Sequence, residues 1–180
     1  MNTKSARALM LLNRIGWGDR RARNQWEKMR GSSFYKQIFL GSVDLSNLAL
    51  TGMDLSGIDF TGAQCGNTSF QGSNLQGATL DRVDLWGANL EMTYLMGTSF
   101  RKANCTRATF DGATMKEVDF FEAHLLEASM RYISGTRVSF EGAYICDLVQ
   151  SGARLESVDL TNVIDYLPVD IPRLKKLFCK

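Results

Sequence analysis

Met53-Asp54-Leu55-Ser56-Gly57 is followed without a gap by Ile58-Asp59-Phe60-Thr61-Gly62, two five-residue units with the same order of residue types. A small or apolar residue comes first, then Asp, a large apolar centre, a hydroxyl residue and glycine. Stepping by five in both directions, every centre slot from Leu40 to Met130 is apolar, 19 in succession. Phe140, Ile145, Leu155 and Leu160 extend the series. Gly135, Gln150 and Asp165 are the departures among 26 slots.

A second row lies two residues before each centre, from Ile38 to Val163, and all its members are small or apolar. Asp or Asn recurs between the rows, as at Asp44, Asn74, Asp84 and Asp119, and glycine recurs two residues after the centre. A helix would repeat near 3.6 and a flat strand near 2, so a period of five fits neither. It fits a solenoid whose sides take five residues each. The two apolar rows point inward, the intervening Asp or Asn points outward, and glycine sits where the chain turns. Each coil then buries its apolar face only by stacking on the next.

The number of sides is also legible. All six centre phenylalanines (Phe60, Phe70, Phe100, Phe110, Phe120, Phe140) fall on alternate slots. Size therefore alternates side by side, and four sides give a 20-residue coil. Phe60, Leu80, Phe100, Phe120 and Phe140 then form one core ladder. At about 4.8 Å per coil, residues 38–165 make a rod roughly 31 Å long.

With these words the chain resembles the pentapeptide repeat proteins, whose consensus is small–Asp/Asn–Leu/Phe–Ser/Thr–Gly. The resemblance covers residues 38–165 and implies a right-handed quadrilateral β-helix, an all-β solenoid. Gly135, Gln150 and Asp165 predict a defect in the later coils and an end near Asp165.

Residues 1–37 and 166–180 lack the period. Ala6, Leu9, Met10, Leu12 and Ile15 follow helical spacing, and Gly16 and Gly18 stop that helix. Asp19 is placed to cap a second helix carrying Trp26 and Met29, ended by Gly31. This helical N-terminal segment either caps the first coil or docks on a partner or an anionic surface. Arg14, Arg20, Arg21, Arg23, Lys28 and Arg30 would do the docking. Lys4, Arg7 and Arg14 without an acid superficially resemble a transit peptide. The segment is nevertheless expected to be retained. At the other end, Pro172 opens a short helix with Leu174, Leu177 and Phe178 on one face, a plug for the last coil. The resemblance implies an alternative there, a homodimer through the C-terminal tail.

The 180 residues contain one histidine, His124, and four cysteines. A lone histidine excludes two-histidine metal sites, and no nucleophile elbow, phosphate loop or paired CxxC is present. No catalysis, cofactor or metal is expected. Cys65 and Cys105 fall two coils apart, about 10 Å, which is too far for a disulfide. Cys146 is expected to point outward, and Cys179 lies in the tail. Reduced thiols and a cytoplasmic location follow.

Sorting residues by face gathers Trp86, His124, Leu126, Tyr144 and Cys146 on the side centred on Leu85, Cys105, Leu125 and Ile145, a candidate interaction patch. The alternative is that they pack under the terminal segments or against a second copy. The net charge of +2 hides a division. Residues 1–36 hold nine basic and two acidic side chains, whereas residues 37–165 hold eight basic and sixteen acidic. The reading is a non-enzymatic adaptor that binds protein partners through its rod faces and basic ends; direct nucleic-acid binding is not expected. The resemblance implies a second possibility. Some members protect the type II topoisomerases DNA gyrase and topoisomerase IV from quinolones or natural poisons by imitating duplex DNA. That needs a strongly negative rod. Arg101, Lys102, Arg107, Lys116, Arg131, Arg137 and Arg154 interrupt the negative field. A third possibility implied by the resemblance is a secreted bacterial effector.

Overall fold

A computed structural model describes residues 3–29 and 38–165. The C-terminal plug (Pro172, Leu174, Leu177, Phe178), the tail dimer, Cys179, Gly31 and Arg30 lie outside the described residues.

From residue 38 onward the chain winds as a parallel β-helix. Each outward residue pairs with the residue 20 positions later, as in Asp44↔Gln64, Gln64↔Asp84, Asp84↔Asn104 and Asn104↔His124. Four such ladders run up the rod, starting at Phe39, Asp44, Ala49 and Asp54. Main-chain bonds join the coils throughout, for example Leu55 N to Asn74 O at 2.8 Å and Asn74 N to Met53 O at 2.9 Å. The backbone is thus satisfied between coils, and the side chains decide only what fills the interior and what decorates the outside.

The centre row is buried almost throughout, with Phe60, Leu80, Phe100, Phe120 and Phe140 fully enclosed. Phe100 stacks on Phe120 with centroids 4.9 Å apart, and Phe120 on Phe140 at 5.2 Å. Phe110 enters from the opposite side and meets Phe100 and Phe120 edge-on at 5.7 and 5.6 Å. Buried hydroxyls in the second inward row bond to main-chain carbonyls: Thr68 to Leu45 O at 2.7 Å and Thr98 to Leu75 O at 2.8 Å.

The outward Asp/Asn row has a role beyond solvation. Asp44, Asp54, Asp59, Asn89 and Asp119 each accept the amide N–H two residues on, at 2.8–3.0 Å. These Asx turns explain the residue preference. Every fifth residue from Ser42 to Asn162 then takes a positive φ, and fifteen of these are not glycine. Gly112, at φ +70°, shows what a small corner admits: the Met92 Sδ of the coil before would lie 2.9 Å from a Cβ there.

Gly135 does not break the rod as expected. The register runs on through Met115↔Gly135 and Gly135↔Leu155, within a small sheet of β1 (Thr114–Lys116), β2 (Ser134–Thr136) and β3 (Arg154–Glu156). A Cβ at Gly135 would overlap the Met115 carbonyl oxygen, so this slot is a glycine because two backbones approach closely.

Before the rod come α1 (Thr3–Gly16) and α2 (Arg20–Met29). Gly18, at φ +85°, closes α1, with its amide bonded to Ile15 O and that of Asp19 to Arg14 O. Asp19 caps α2 by accepting from the Arg21 and Ala22 amides. Ala8, Leu11, Leu12, Ile15, Ala22 and Trp26 join the same apolar core as the rod. Gly16 sits where a Cβ would meet Leu48 Cδ2 at 2.7 Å.

Polar contacts of these helices fall on backbone atoms of the first coil. Trp26 Nε1 donates to Asp54 O at 2.9 Å, and Arg23 to Thr51 O at 3.0 Å. The Phe39 amide donates to Ser5 Oγ at 3.1 Å. One coil later the equivalent carbonyls, Gln71 O and Asn74 O, accept from the Gly52 and Leu55 amides of the coil beneath. Arg23 and Trp26 thus donate to carbonyls equivalent to ones that bond main-chain amides one coil later.

Candidate functional site

The proposed patch is only partly assembled. His124 and Tyr144 are successive members of one ladder, with rings 4.5 Å apart and tilted by 33°. Together with Lys102, Glu122 and Glu141 they line an open hollow of about 530 Å³. Trp86 is 42% exposed on the same face, but two coils nearer the N-terminal end and outside that hollow. Leu126 is half-buried.

Cys146 does not point outward as expected. It is buried, with its Sγ 4.0 Å from Ile164 O. A thiol is small enough to tuck against the strand above, where a larger side chain would be forced out. Burial raises the Cys65 and Cys105 thiols far above their ordinary range; the Asp84 charge adds to it for both, and that of Asp44 for Cys65. Both are inert as nucleophiles.

The basic segment is likewise divided. Arg14 is drawn to Asp19, with Nη2–Oδ2 2.6 Å, and Arg23 holds Thr51 O. Arg20, Arg21 and Lys28 remain on the exposed side of α2. Trp17, just after α1, is 86% exposed.

Charges on the rod are arranged by the 20-residue register. Lys102 pairs with Glu122 at 3.2 Å, Arg107 with Glu127 at 2.7 Å, and Arg137 with Glu117. Arg101 pairs with Asp119 at 2.6 Å and lies 4.2 Å from the centre of the Phe121 ring; Arg131 approaches Asp111 at 4.0 Å. The hydrogen bond from Arg137 holds the Glu117 carboxyl below its usual range, and the bond to Asp119 holds Arg101 still more firmly charged. Residues 38–100, by contrast, hold six acids and one base.

A second exposed cluster escaped the reading by face. Met92, Tyr94 and Met96, and Tyr132 two coils on, are 65, 59, 37 and 71% exposed. The signal was present: Tyr94 stands where Asp or Asn is usual, and Met92 and Tyr132 where glycine is usual. Among the described residues no group of His, Cys, Asp or Glu is placed to hold a metal, and no helix is long and apolar enough to cross a membrane.

Residues 40–77 and 78–116 match the family model described as pentapeptide repeats (8 copies). No curated protein matches the chain significantly. Among solved structures, a pentapeptide repeat protein of the Arabidopsis thaliana thylakoid lumen is 26% identical, with a TM-score of 0.35. That match covers 61% of this chain and 66% of the other, just under two thirds of its length. HetL, involved in heterocyst differentiation regulation in Nostoc sp. strain PCC 7120, is 15% identical over 78% of this chain and 92% of its own, with a TM-score of 0.38. QnrB1, a plasmid-mediated fluoroquinolone resistance protein, is 15% identical over 79% and 87%, with a TM-score of 0.36. Over residues 40–116 this chain carries the repeats of the pentapeptide repeat proteins, a family whose fold is the right-handed β-helix.

Proposed function

We propose that the chain is a non-enzymatic adaptor whose rigid rod presents side chains to protein partners. The observation that carries this reading is the set of aromatic side chains left exposed on a rod whose backbone is bonded from coil to coil: Trp86, Tyr144 beside the tilted ring of His124, and Tyr94. The backbone that carries these side chains is bonded from coil to coil, so little backbone entropy is lost when a partner covers them. In the same proposal the cross-section is quadrilateral and α1 and α2 cap the first coil. The buried thiols of Cys65 and Cys105, which form no disulfide, suit a cytoplasmic setting. The test is affinity purification from the native cell, comparing the intact chain with a Trp86→Ala, Tyr144→Ala variant. At least one partner is expected to be lost; identical partner lists remove the patch.

The acidic segment 38–100 favours a second reading, imitation of DNA before a type II topoisomerase. The paired cations of residues 101–137 weaken it, because they neutralise the field over the later coils. A supercoiling assay with gyrase and a quinolone separates the readings: neither inhibition nor protection at micromolar protein is expected of an adaptor.

A further inference from the structure

Seven cations lie between residues 101 and 165, and five of them pair with carboxylates on the rod. The remaining two, Lys116 and Arg154, make no ion pair with a described carboxylate, and both are exposed. They share one face. The ladder Tyr94↔Thr114↔Ser134↔Arg154 runs along it, and Lys116 flanks Thr114 in β1. Two coils separate the cations, roughly 10 Å along the axis. Glu117, next to Lys116, is drawn to Arg137 at the corner, and Glu156 ends the face beyond Arg154.

The same face carries the exposed apolar cluster. Tyr94, Met96 and Lys116 border a hollow of about 420 Å³, and Tyr132 and Arg154 border another of about 470 Å³. The short outward residues Thr114, Ser134 and Thr136 lie between them. Aromatic and thioether side chains alternate over two coils with Lys116 and Arg154, and Glu156 is the one carboxylate on these three strands.

We infer that this face binds an extended acidic segment of a partner protein, its carboxylates meeting Lys116 and Arg154 and its apolar side chains covering Tyr94, Met96 and Tyr132. Every other cation of these coils is satisfied within the rod, so charge complementarity selects an anionic ligand. The apolar cluster requires that ligand to carry hydrophobic side chains as well. Recognition over Tyr94, Lys116 and Tyr132 is by side chains, because β1 and β2 already have a neighbour on both sides. The inference rests on the adaptor reading and names a surface for it distinct from the face of Trp86.

The test is to pan a phage-displayed library of random peptides on the full chain and measure the affinity of the enriched peptides. Enrichment of sequences with Asp or Glu around Leu, Phe or Trp is expected. Their affinity should fall at least about tenfold in Lys116→Ala, Arg154→Ala and in Tyr94→Ala, and fall with added salt. Trp86→Ala should bind them unchanged. A Lys116→Glu, Arg154→Glu variant should instead bind peptides whose acids are exchanged for lysine, which also establishes that it folds. Peptides without acids, affinity indifferent to these substitutions, or no enrichment overturn the inference. So does tighter binding of this face to single-stranded DNA or to phosphatidylserine vesicles. Peptides that depend on Trp86 or Tyr144 overturn it while leaving the adaptor reading standing.

Discussion

The indole N–H of Trp26 donates to the backbone carbonyl of Asp54 at 2.9 Å, bonding α2 to the first coil of the rod. In the next coil that position is Asn74, whose carbonyl accepts from the Leu55 amide below. Trp26 thus supplies the donor that a preceding coil would have provided. Its ring is also fully buried. Trp26→Phe keeps most of the burial and orphans the carbonyl, and should lower stability by about 1–3 kcal/mol. Trp26→Ala should lower it by about 3–5 kcal/mol. Chemical denaturation measures both; a Trp26→Phe variant as stable as the unaltered chain would mean that the hydrogen bond contributes nothing.

Ser73 bridges a turn twenty residues before it. Its Oγ donates to Leu50 O at 2.8 Å and accepts from the Met53 amide at 3.0 Å, standing between two groups that elsewhere bond directly. Ser73→Ala strands both inside the core and should destabilise by about 1–3 kcal/mol. Ser73→Thr, which retains the hydroxyl, should recover much of the loss. A Ser73→Ala variant with an unchanged unfolding midpoint contradicts the assignment.

Two glycines should respond differently to the same methyl group. At Gly97, φ is +67° and nothing stands within 4 Å of a Cβ, so Gly97→Ala should lose only the left-handed backbone preference, about 1 kcal/mol. At Gly135 the methyl would overlap the Met115 carbonyl, and Gly135→Ala should exceed about 3 kcal/mol or fail to fold. Thermal melts of the pair decide the matter. A smaller effect at Gly135 is inconsistent with the parallel register of β1 and β2.

Stability should fall in acid. Backbone N–H donors hold the carboxyls of Asp44 and Asp19 below their usual range, as the Arg137 bond does for Glu117. A carboxyl with a depressed folded pKa contributes stability that is full above the ordinary value near ~4 and is lost as pH falls through the folded value. Urea midpoints should therefore hold steady from neutral pH to about 5 and drop below about 4. Asp44→Asn, which keeps the acceptor oxygen and removes the charge, should reduce the drop. A midpoint flat down to pH 3 is the contrary outcome.

The period of five exposed the fold because a coil with identical sides writes the same inward rows on every side. Leu80 among Phe60, Phe100, Phe120 and Phe140 was legible as one ladder for that reason. Surface arrangements depended on a further step. Arg107 and Glu127 differ by 20 in number, so their pairing was implicit in the coil length, yet counting charge by segment averages such pairs away. Cys146 was misplaced because position on a side fixes which way a Cβ points, not whether a small side chain bends back under the strand above. Tyr94 and Met96 lie on a different face from Trp86, and sorting by the tryptophan's face does not gather them. The fifteen non-glycine corners have no sequence signature of their own: the coil imposes the positive φ on whatever residue stands there.

Site-specific photo-crosslinking from the rod in the native cell tests the adaptor role most directly. With a photoreactive phenylalanine replacing Trp86 or Tyr144, and as a control replacing the remote Thr51, the expected result is a discrete protein adduct from a patch position and none from the control. Adducts equally abundant at all three positions, or at none, would contradict a partner-binding face on this rod.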